Sequence, residues 1–392
     1  MSYDLILSST AATWVVNLIL LALGFVLLVK GADFFVDGAA GIAKKLRIST
    51  FIIGVTVVAV GTSAPELAVT IVDAVTPGGG DLIMGNILGS NALNVLLILG
   101  ISAVICKLPT EKTTRIIDMP FLIFVSVLFL VFGVFVGPYT FGTTEGGEAF
   151  LNATMPWYCG LILLILYFAF MAYNIVLAKK QSKAGLEQAA AISVSDPYAV
   201  ADADNGNTVG TGIVARLKSG YEGLLARVWF LIVISIVGLA MVVGGATLVV
   251  NAARTVSVNL IGIDPEIVAL TVVAFGTSLP ELITSVSAAK KGDVGIATGN
   301  IIGSNIANIL LIGGLGALCT GSRGVPFTME GLVGGAVSLL AALLIFGFSV
   351  GSKSKSLTRV AGVIMLVCFV CYYGFIFLNK YVLLLYLPGL PV

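Results

Sequence analysis

Histidine is absent from this 392-residue chain. Its absence removes the usual general base near neutral pH, the commonest zinc ligand, and the Ser–His and Cys–His relays of hydrolases. Charge is scarce. Only 10% of residues are Asp, Glu, Lys or Arg, against about 25% in a soluble domain. The formal net charge is +1, so no basic field draws in nucleic acid. The five cysteines, Cys106, Cys159, Cys319, Cys368 and Cys371, are odd in number and fall in or beside apolar runs. They make no disulfide framework. Cys368 and Cys371 form a C-x-x-C pair inside an apolar run, with no other thiol or imidazole near in sequence, and read as small packing residues. A basic n-region is also missing, since Asp4 is acidic and the first lysine is Lys30. The N-terminus is therefore not an ordinary signal peptide.

What the chain has in abundance is hydrocarbon, with 58% hydrophobic residues. So apolar a chain cannot cover itself with polar surface, and its solvent should be lipid. Ten apolar runs cover roughly 13–36, 49–75, 82–106, 117–137, 156–178, 228–250, 265–289, 294–319, 329–350 and 359–386, each long enough to cross a bilayer as a helix of about 20 residues. The 46 glycines suit close helix packing in lipid. All of the 21 basic residues except Lys30, Arg254, Arg323 and Lys380 fall in the connections after runs 1, 3, 5, 7 and 9. The positive-inside rule puts those connections in the cytoplasm and both termini outside. The longest connection, 179–227, reads as a polar cytoplasmic linker. Asp202, Asp204 and Asn205 before Gly206 faintly resemble a calcium loop, but the spacing is one short and Ile213 stands where a closing glutamate is needed.

The two halves repeat. Gly61-Thr62-Ser63-Ala64-Pro65-Glu66-Leu67 returns as Gly276-Thr277-Ser278-Leu279-Pro280-Glu281-Leu282. Gly85-Asn86-Ile87-Leu88-Gly89-Ser90-Asn91, with Asn94, returns at nearly the same offset as Gly299-Asn300-Ile301-Ile302-Gly303-Ser304-Asn305, with Asn308. Five spans per half is an odd number, so the halves are inverted: 1–178 is one repeat and 228–392 the other. Inverted repeats with a site where they meet are a common plan of secondary transporters.

Proline within G-T-S-x-P-E has no N–H, so Pro65 leaves the Gly61 carbonyl without its helical partner, and Pro280 does the same to Gly276. Deep in lipid such carbonyls need a neighbouring helix, water or a cation. Thr62 and Ser63 lie four and three residues before Glu66, on its face, and Thr277 and Ser278 stand likewise to Glu281. Carboxylate, hydroxyls and freed carbonyls are the oxygen set that hard cations take. An ionised carboxylate at mid-bilayer costs about 3 kcal/mol or more. Two of them match one calcium ion in charge and can hold sodium instead, which is the physical seed of antiport. Ser90 with Asn94, and Ser304 with Asn308, make polar stripes four apart that reach toward the same cavity. The glycines four apart beside them smooth a face for close packing. Each motif alone is also compatible with a plain kink or packing seam. Asp33, Asp37 and Asp73 read as helix-end acids facing water or basic loops.

Paired in this way, the motifs closely resemble the two alpha-repeats of the cation/calcium exchanger superfamily, in its bacterial sodium/calcium antiporter branch. The resemblance spans essentially the whole chain. It implies an all-α membrane fold of ten transmembrane helices in two inverted repeats, with broken helices at an ion site between spans 2, 3, 7 and 8. The implied ligands are Glu66, Glu281, Thr62, Ser63, Thr277, Ser278, Ser90, Asn94 and Ser304, with the carbonyls of Ala59 and Ala274. Spans 1 and 6 would slide over that core to give alternating access. The implied activity is exchange of calcium for sodium across a bacterial-type inner membrane. It would need no cofactor and no partner beyond the ions and lipid, with a monomer sufficient for transport. Several members carry aspartate where this chain has Asn308, so the coupling ion stays open between sodium, proton and potassium. Proton/calcium exchange, a passive cation channel and an intramembrane enzyme are the competing classes. The lack of histidine weighs against the last, and a single acid pair rather than a charged ring weighs against the channel.

Overall fold

A computed structural model describes residues 10–75, 80–143, 149–195, 228–256 and 274–377. It is mostly helical. The helices are α1 (Thr10–Leu46), α2 (Thr50–Thr62), α3 (Ala64–Val75), α4 (Ile83–Ile105), α5 (Thr114–Val136), α6 (Trp157–Ser195), α7 (Val228–Arg254), α8 (Ala274–Thr277), α9 (Leu279–Lys291), α10 (Val294–Arg323), α11 (Met329–Gly351) and α12 (Arg359–Phe377). Among the described residues seven helices are long and apolar enough to cross a membrane, or eight if the bent pair α2–α3 is one span. Helix α12 answers to the tenth apolar run. The start of the seventh run (265–273), most of the linker including Asp202, Asp204 and Asn205, and the end of the tenth run lie outside the described residues.

Two helices outrun their apolar runs. Helix α1 continues through Lys44 and Lys45 to Leu46, and α6 continues past 178 to Ser195. The first part of the expected linker is therefore helical. Its sequence, Lys179-Lys180-Gln181-Ser182-Lys183-Ala184-Gly185-Leu186-Glu187-Gln188-Ala189, is rich in strong helix formers, which need no lipid to hold the conformation.

The fold also departs from all-α. Strands β2 (Tyr139–Thr143), β3 (Ala149–Met155) and β4 (Val325–Thr328) form an antiparallel sheet in the order β2-β3-β4, with Met155 opposite Val325. A shorter pair joins β1 (Leu108–Pro109) to β5 (Ser356–Leu357). The connections between spans cannot leave backbone groups unpaired at a membrane edge, and these pairings supply the partners. Val325 and Phe327 alternate inward along β4 and are fully buried.

The described chain divides into two compact units, Met1–Pro65 with Ile165–Gly303, and Glu66–Leu164 with Ser304–Val392. Each draws on both repeats. In the first unit α1 and α7 pack antiparallel along a glycine seam. A Cβ at Gly24 would lie 3.0 Å from the Gly245 carbonyl, one at Gly31 2.8 Å from the Gly238 carbonyl, and one at Gly38 2.8 Å from the Leu231 carbonyl. Leu28, Ala32, Val242, Ala246 and Val249 fill the seam together with Leu279 of α9. The start of α10 presses on α2 by the same means, since a Cβ at Gly299 would sit 2.5 Å from the Phe51 carbonyl and one at Gly303 2.5 Å from that of Val55. The expected smooth face is thus real for Gly299 and Gly303. Gly85 and Gly89 meet no atom within 4 Å among the described residues. In the second unit α4, α5, α11 and α12 pack as a layer, with the end of α10 against Phe129 and Thr70 through Gly313 and Gly316.

Candidate ion-binding site

Both copies of G-T-S-x-P-E break their helix at the same place and in the same way. Ser63 has φ −81° and ψ 11°, and Ser278 has φ −87° and ψ 2°. Both lie near the bridge region between helix and strand. Proline cannot continue a helix but fits well in the first turn of a new one. Accordingly α3 and α9 restart at Ala64 and Leu279, with Pro65 and Pro280 as their second residues. The two segments of the first break, α2 and α3, meet at 46°. Glu66 and Glu281 therefore stand in the first turn of a fresh helix. The partial positive charge of that terminus favours a carboxylate by about 0.3–1 kcal/mol, more when partly buried. This placement was not evident from the motif, which shows only that a glutamate follows a proline.

In the first unit Glu281 is fully buried, and its Oε1 accepts the Ser63 hydroxyl at 2.9 Å. Ser63 was expected as a cation ligand; here it is also the donor that orients the carboxylate. Thr62 donates to the Val58 carbonyl at 3.1 Å and lies 3.0 Å from Asn300 Oδ1. Asn300 in turn donates to Ser285 at 2.9 Å. Thr277 and Ser278 are buried. Thr284, one turn after Glu281, is fully buried and its hydroxyl has no hydrogen-bond partner among the described residues. The Ala59 carbonyl accepts the Ser63 N–H at 3.1 Å and lies 3.4 Å from the Thr62 hydroxyl. Ala274 opens α8.

In the second unit Glu66 is 1% exposed. Asn86 donates to the Glu66 carbonyl at 3.1 Å and to Thr70 at 3.0 Å. This matches the Asn300–Ser285 bond of the other repeat. The centre of the unit is a reciprocal lattice of asparagines between α4 and α10. Asn91 donates to the Asn305 carbonyl at 3.2 Å and Asn305 to the Asn91 carbonyl at 3.1 Å. Asn94 donates to Asn305 Oδ1 at 2.9 Å and Asn308 to Asn91 Oδ1 at 3.1 Å. Every bond has its mirror in the other repeat. With their amide nitrogens used as donors, Asn94 and Asn308 turn Oδ1 elsewhere, and both oxygens are buried without a hydrogen-bond partner among the described residues. A buried polar atom left unmatched costs about 1–3 kcal/mol, a cost that a bound cation would remove. Both residues also open a π-helical turn, Asn94–Leu99 and Asn308–Ile312, a distortion common at functional sites. Ser90 and Ser304 are buried in the same unit.

Asn86, Asn91, Asn300, Asn305, Thr70, Ser285 and Thr284 are thus neighbours of the candidate ligands that residue spacing did not single out. The four asparagines do lie inside the repeated motif, and their duplication was the available signal. Asp33 and Asp37 pair with Lys291, at 3.5 and 2.7 Å, and Ser287 donates to Asp33 at 2.8 Å. They tie α1 to the end of α9, as acids facing a basic connection. Asp73 accepts the Gly80 N–H at 3.0 Å. Among the described residues no three Asp, Glu, Cys or His side chains cluster about a possible metal position.

The family described as sodium/calcium exchanger protein matches residues 16–176 and 230–378. This chain belongs to that family. It is therefore a multi-pass membrane protein of a family of exchangers, not an enzyme. Among relatives of the exchanger, the sodium/calcium exchanger MaX1 of Methanosarcina acetivorans is 35% identical over 384 residues, covering 91% of this chain and 97% of the relative. The putative antiporter CaxA of Alkalimonas amylolytica is 31% identical, covering 92% and 98%. A solved structure of the sodium-calcium exchanger NCX_Mj, soaked with 2.5 mM sodium and 0.1 mM calcium, superposes with a TM-score of 0.67 at 27% identity, covering 92% of this chain and 98% of that one.

Proposed function

We propose that this chain exchanges calcium for sodium across a membrane by alternating access, with Glu66 and Glu281 supplying the two negative charges that calcium requires. The observation that carries the reading is the duplicated buried donor set. Each repeat provides a glutamate in the first turn of a restarted helix, and each provides a buried asparagine oxygen without a hydrogen bond, on Asn94 and Asn308. The reciprocal asparagine bonds support inverted halves and so the ten-span plan. Thr62, Ser63, Thr277, Ser278, Ser90 and Ser304, with the carbonyls of Ala59 and Ala274, complete the proposed ligand set. Calcium takes six to eight such oxygens, and sodium ions can hold the same carboxylates with less complete charge compensation. The relatives bear the names sodium/calcium exchanger and sodium-calcium exchanger, which supports this ion pair.

The excess of basic residues in alternate connections supports an orientation with both termini outside and the central linker in the cytoplasm. The glycine seam makes α1 and α7 a closely packed pair, suited to moving as one piece during access change. A monomer suffices, and no cofactor is required. The test is uptake of radioactive calcium into liposomes holding the purified chain. An outward sodium gradient should drive uptake, and a proton gradient alone should not. Uptake driven by protons and indifferent to sodium would reassign the coupling ion. A current without any counter-ion requirement would make the protein a channel.

A further inference from the structure

Asp118 is 1% exposed, and so is Thr114, one turn before it. Together they continue the buried stripe of Leu122, Val125 and Phe129 along α5. Among the described residues Asp118 Oδ1 and the Thr114 hydroxyl both lack a hydrogen-bond partner. The segment joining them, Thr114–Asp118, is a π-helical turn. Helix α11 packs on this segment and brings a third oxygen. Ser349 is fully buried and its hydroxyl has no partner either. Elsewhere in the chain buried helical serines turn back to the carbonyl four residues earlier, as Ser102, Ser126 and Ser235 do at 2.8–2.9 Å. Ser349 forgoes that bond.

The register of α5 against α11 shows where Ser349 lies. Phe327, just before α11, fills the space beside Gly133 near the end of α5, and Leu130 fills the space beside Gly335. The two helices thus run antiparallel. Four turns further on, that register sets Ser349 opposite Thr114–Asp118. The basic groups close by are engaged elsewhere. Arg115 donates to the carbonyls of Thr110 and Lys355, and Lys355 Nζ to that of Val350 at 2.7 Å. Among the described residues no lysine or arginine pairs with Asp118. At the motif offset of 214 residues the positions of Asp118 and Ser349 fall at Leu332 and Phe135. The cluster lies outside the G-T-S-x-P-E and G-N-x-x-G-S-N motifs.

We propose that Asp118, Thr114 and Ser349 hold one hard monovalent cation, of sodium type, at a site separate from the exchange site. One carboxylate balances one positive charge, and two hydroxyls add the neutral oxygens that sodium takes. Glu111, the other acid whose charge reaches Asp118, is exposed on the connection before α5, so within the buried cluster a divalent ion would be left half-compensated. The proposal stands independently of the exchange reading.

The test is equilibrium binding of radioactive sodium to the purified full chain. Asp118→Asn should bind one sodium ion fewer per chain than the unaltered protein. Thr114→Val and Ser349→Ala, which keep the charge, should each weaken one class of sodium site at least tenfold. These two carry the test if Asp118→Asn does not fold. Unchanged capacity in Asp118→Asn, or unchanged affinity in both hydroxyl variants, would overturn the proposal. An infrared carboxylic-acid band that disappears in Asp118→Asn and ignores sodium would overturn it too, showing a proton held instead. If liposomes show no sodium–calcium exchange but the binding differences persist, the exchange reading fails and this site stands.

Discussion

Glu281→Gln separates the role of shape from the role of charge. The amide keeps an oxygen where the carboxylate accepts Ser63 at 2.9 Å, so the hydrogen bond survives in neutral form. Bonds to charged groups contribute about 1.5–3 kcal/mol and neutral ones about 0.5–1.5, so roughly 1 kcal/mol is lost. The first-turn position forfeits a further 0.3–1 kcal/mol or so. Against these stands about 3 kcal/mol for holding an ionised carboxylate within a membrane, a cost glutamine avoids. The terms offset to about 1–2 kcal/mol in favour of the variant. In buffer free of sodium and calcium it should melt no lower than the unaltered protein. Calcium then divides the two. At a hundredfold excess over its Kd a ligand stabilises by about 2.7 kcal/mol. The unaltered chain should gain that shift in a melting assay, and Glu281→Gln should not, while sodium-driven calcium uptake falls at least a hundredfold. A variant that melts well below the parent without ions, or gains as much from calcium, would refute the reasoning.

Other perturbations follow from the same geometry. Asn308→Asp adds a third acid beside the Asn91–Asn305 lattice and should change the sodium or pH dependence of uptake; an identical profile would remove that position from the ligand set. Gly299→Ala drives a Cβ to 2.5 Å from the Phe51 carbonyl, a backbone clash expected to cost about 1–3 kcal/mol. Gly347→Ala enters open space within α11 and should stabilise by up to about 1 kcal/mol; melting both variants in detergent checks the contrast. The Lys291–Asp37 pair is partly exposed, so a double-mutant cycle with alanine should return less than about 1 kcal/mol of coupling. Asp293 sits between α9 and α10. Burial first, then Asp37, raises its carboxyl above the usual range, with Lys291 opposing. A raised acid holds its proton more tightly in the folded state, so stability is greatest below the ordinary carboxylate range and declines as pH rises through the raised value. Melting against pH should show that decline flattened in Asp293→Asn.

The repeat carried much of the site into view. Two copies of a proline followed by glutamate dictate where helices break, because a missing N–H acts wherever it is placed. The structure puts both breaks at the serine two residues before the proline. The first-turn position of the glutamates was hidden, since which segment restarts depends on local dihedrals rather than spacing. The asparagine lattice was hidden for another reason. Asn91 and Asn305 act on each other's backbone across 214 residues, and only tertiary contact pairs them. The strands escaped notice because loops at a membrane edge are short and polar in pattern, and β4 finds its partner far along the chain at β3. Asp118 lies outside the duplicated motifs, and its burial beside Thr114 comes from packing that spacing does not show.

Equilibrium binding of radioactive calcium at rising sodium, with choline replacing sodium to hold ionic strength, bears most directly on the claim that the same buried oxygens take either ion. The account predicts an unchanged calcium capacity per chain and an apparent Kd that climbs steeply with sodium, with a power above one. A calcium affinity indifferent to sodium, or a capacity that shrinks while affinity holds, would contradict it.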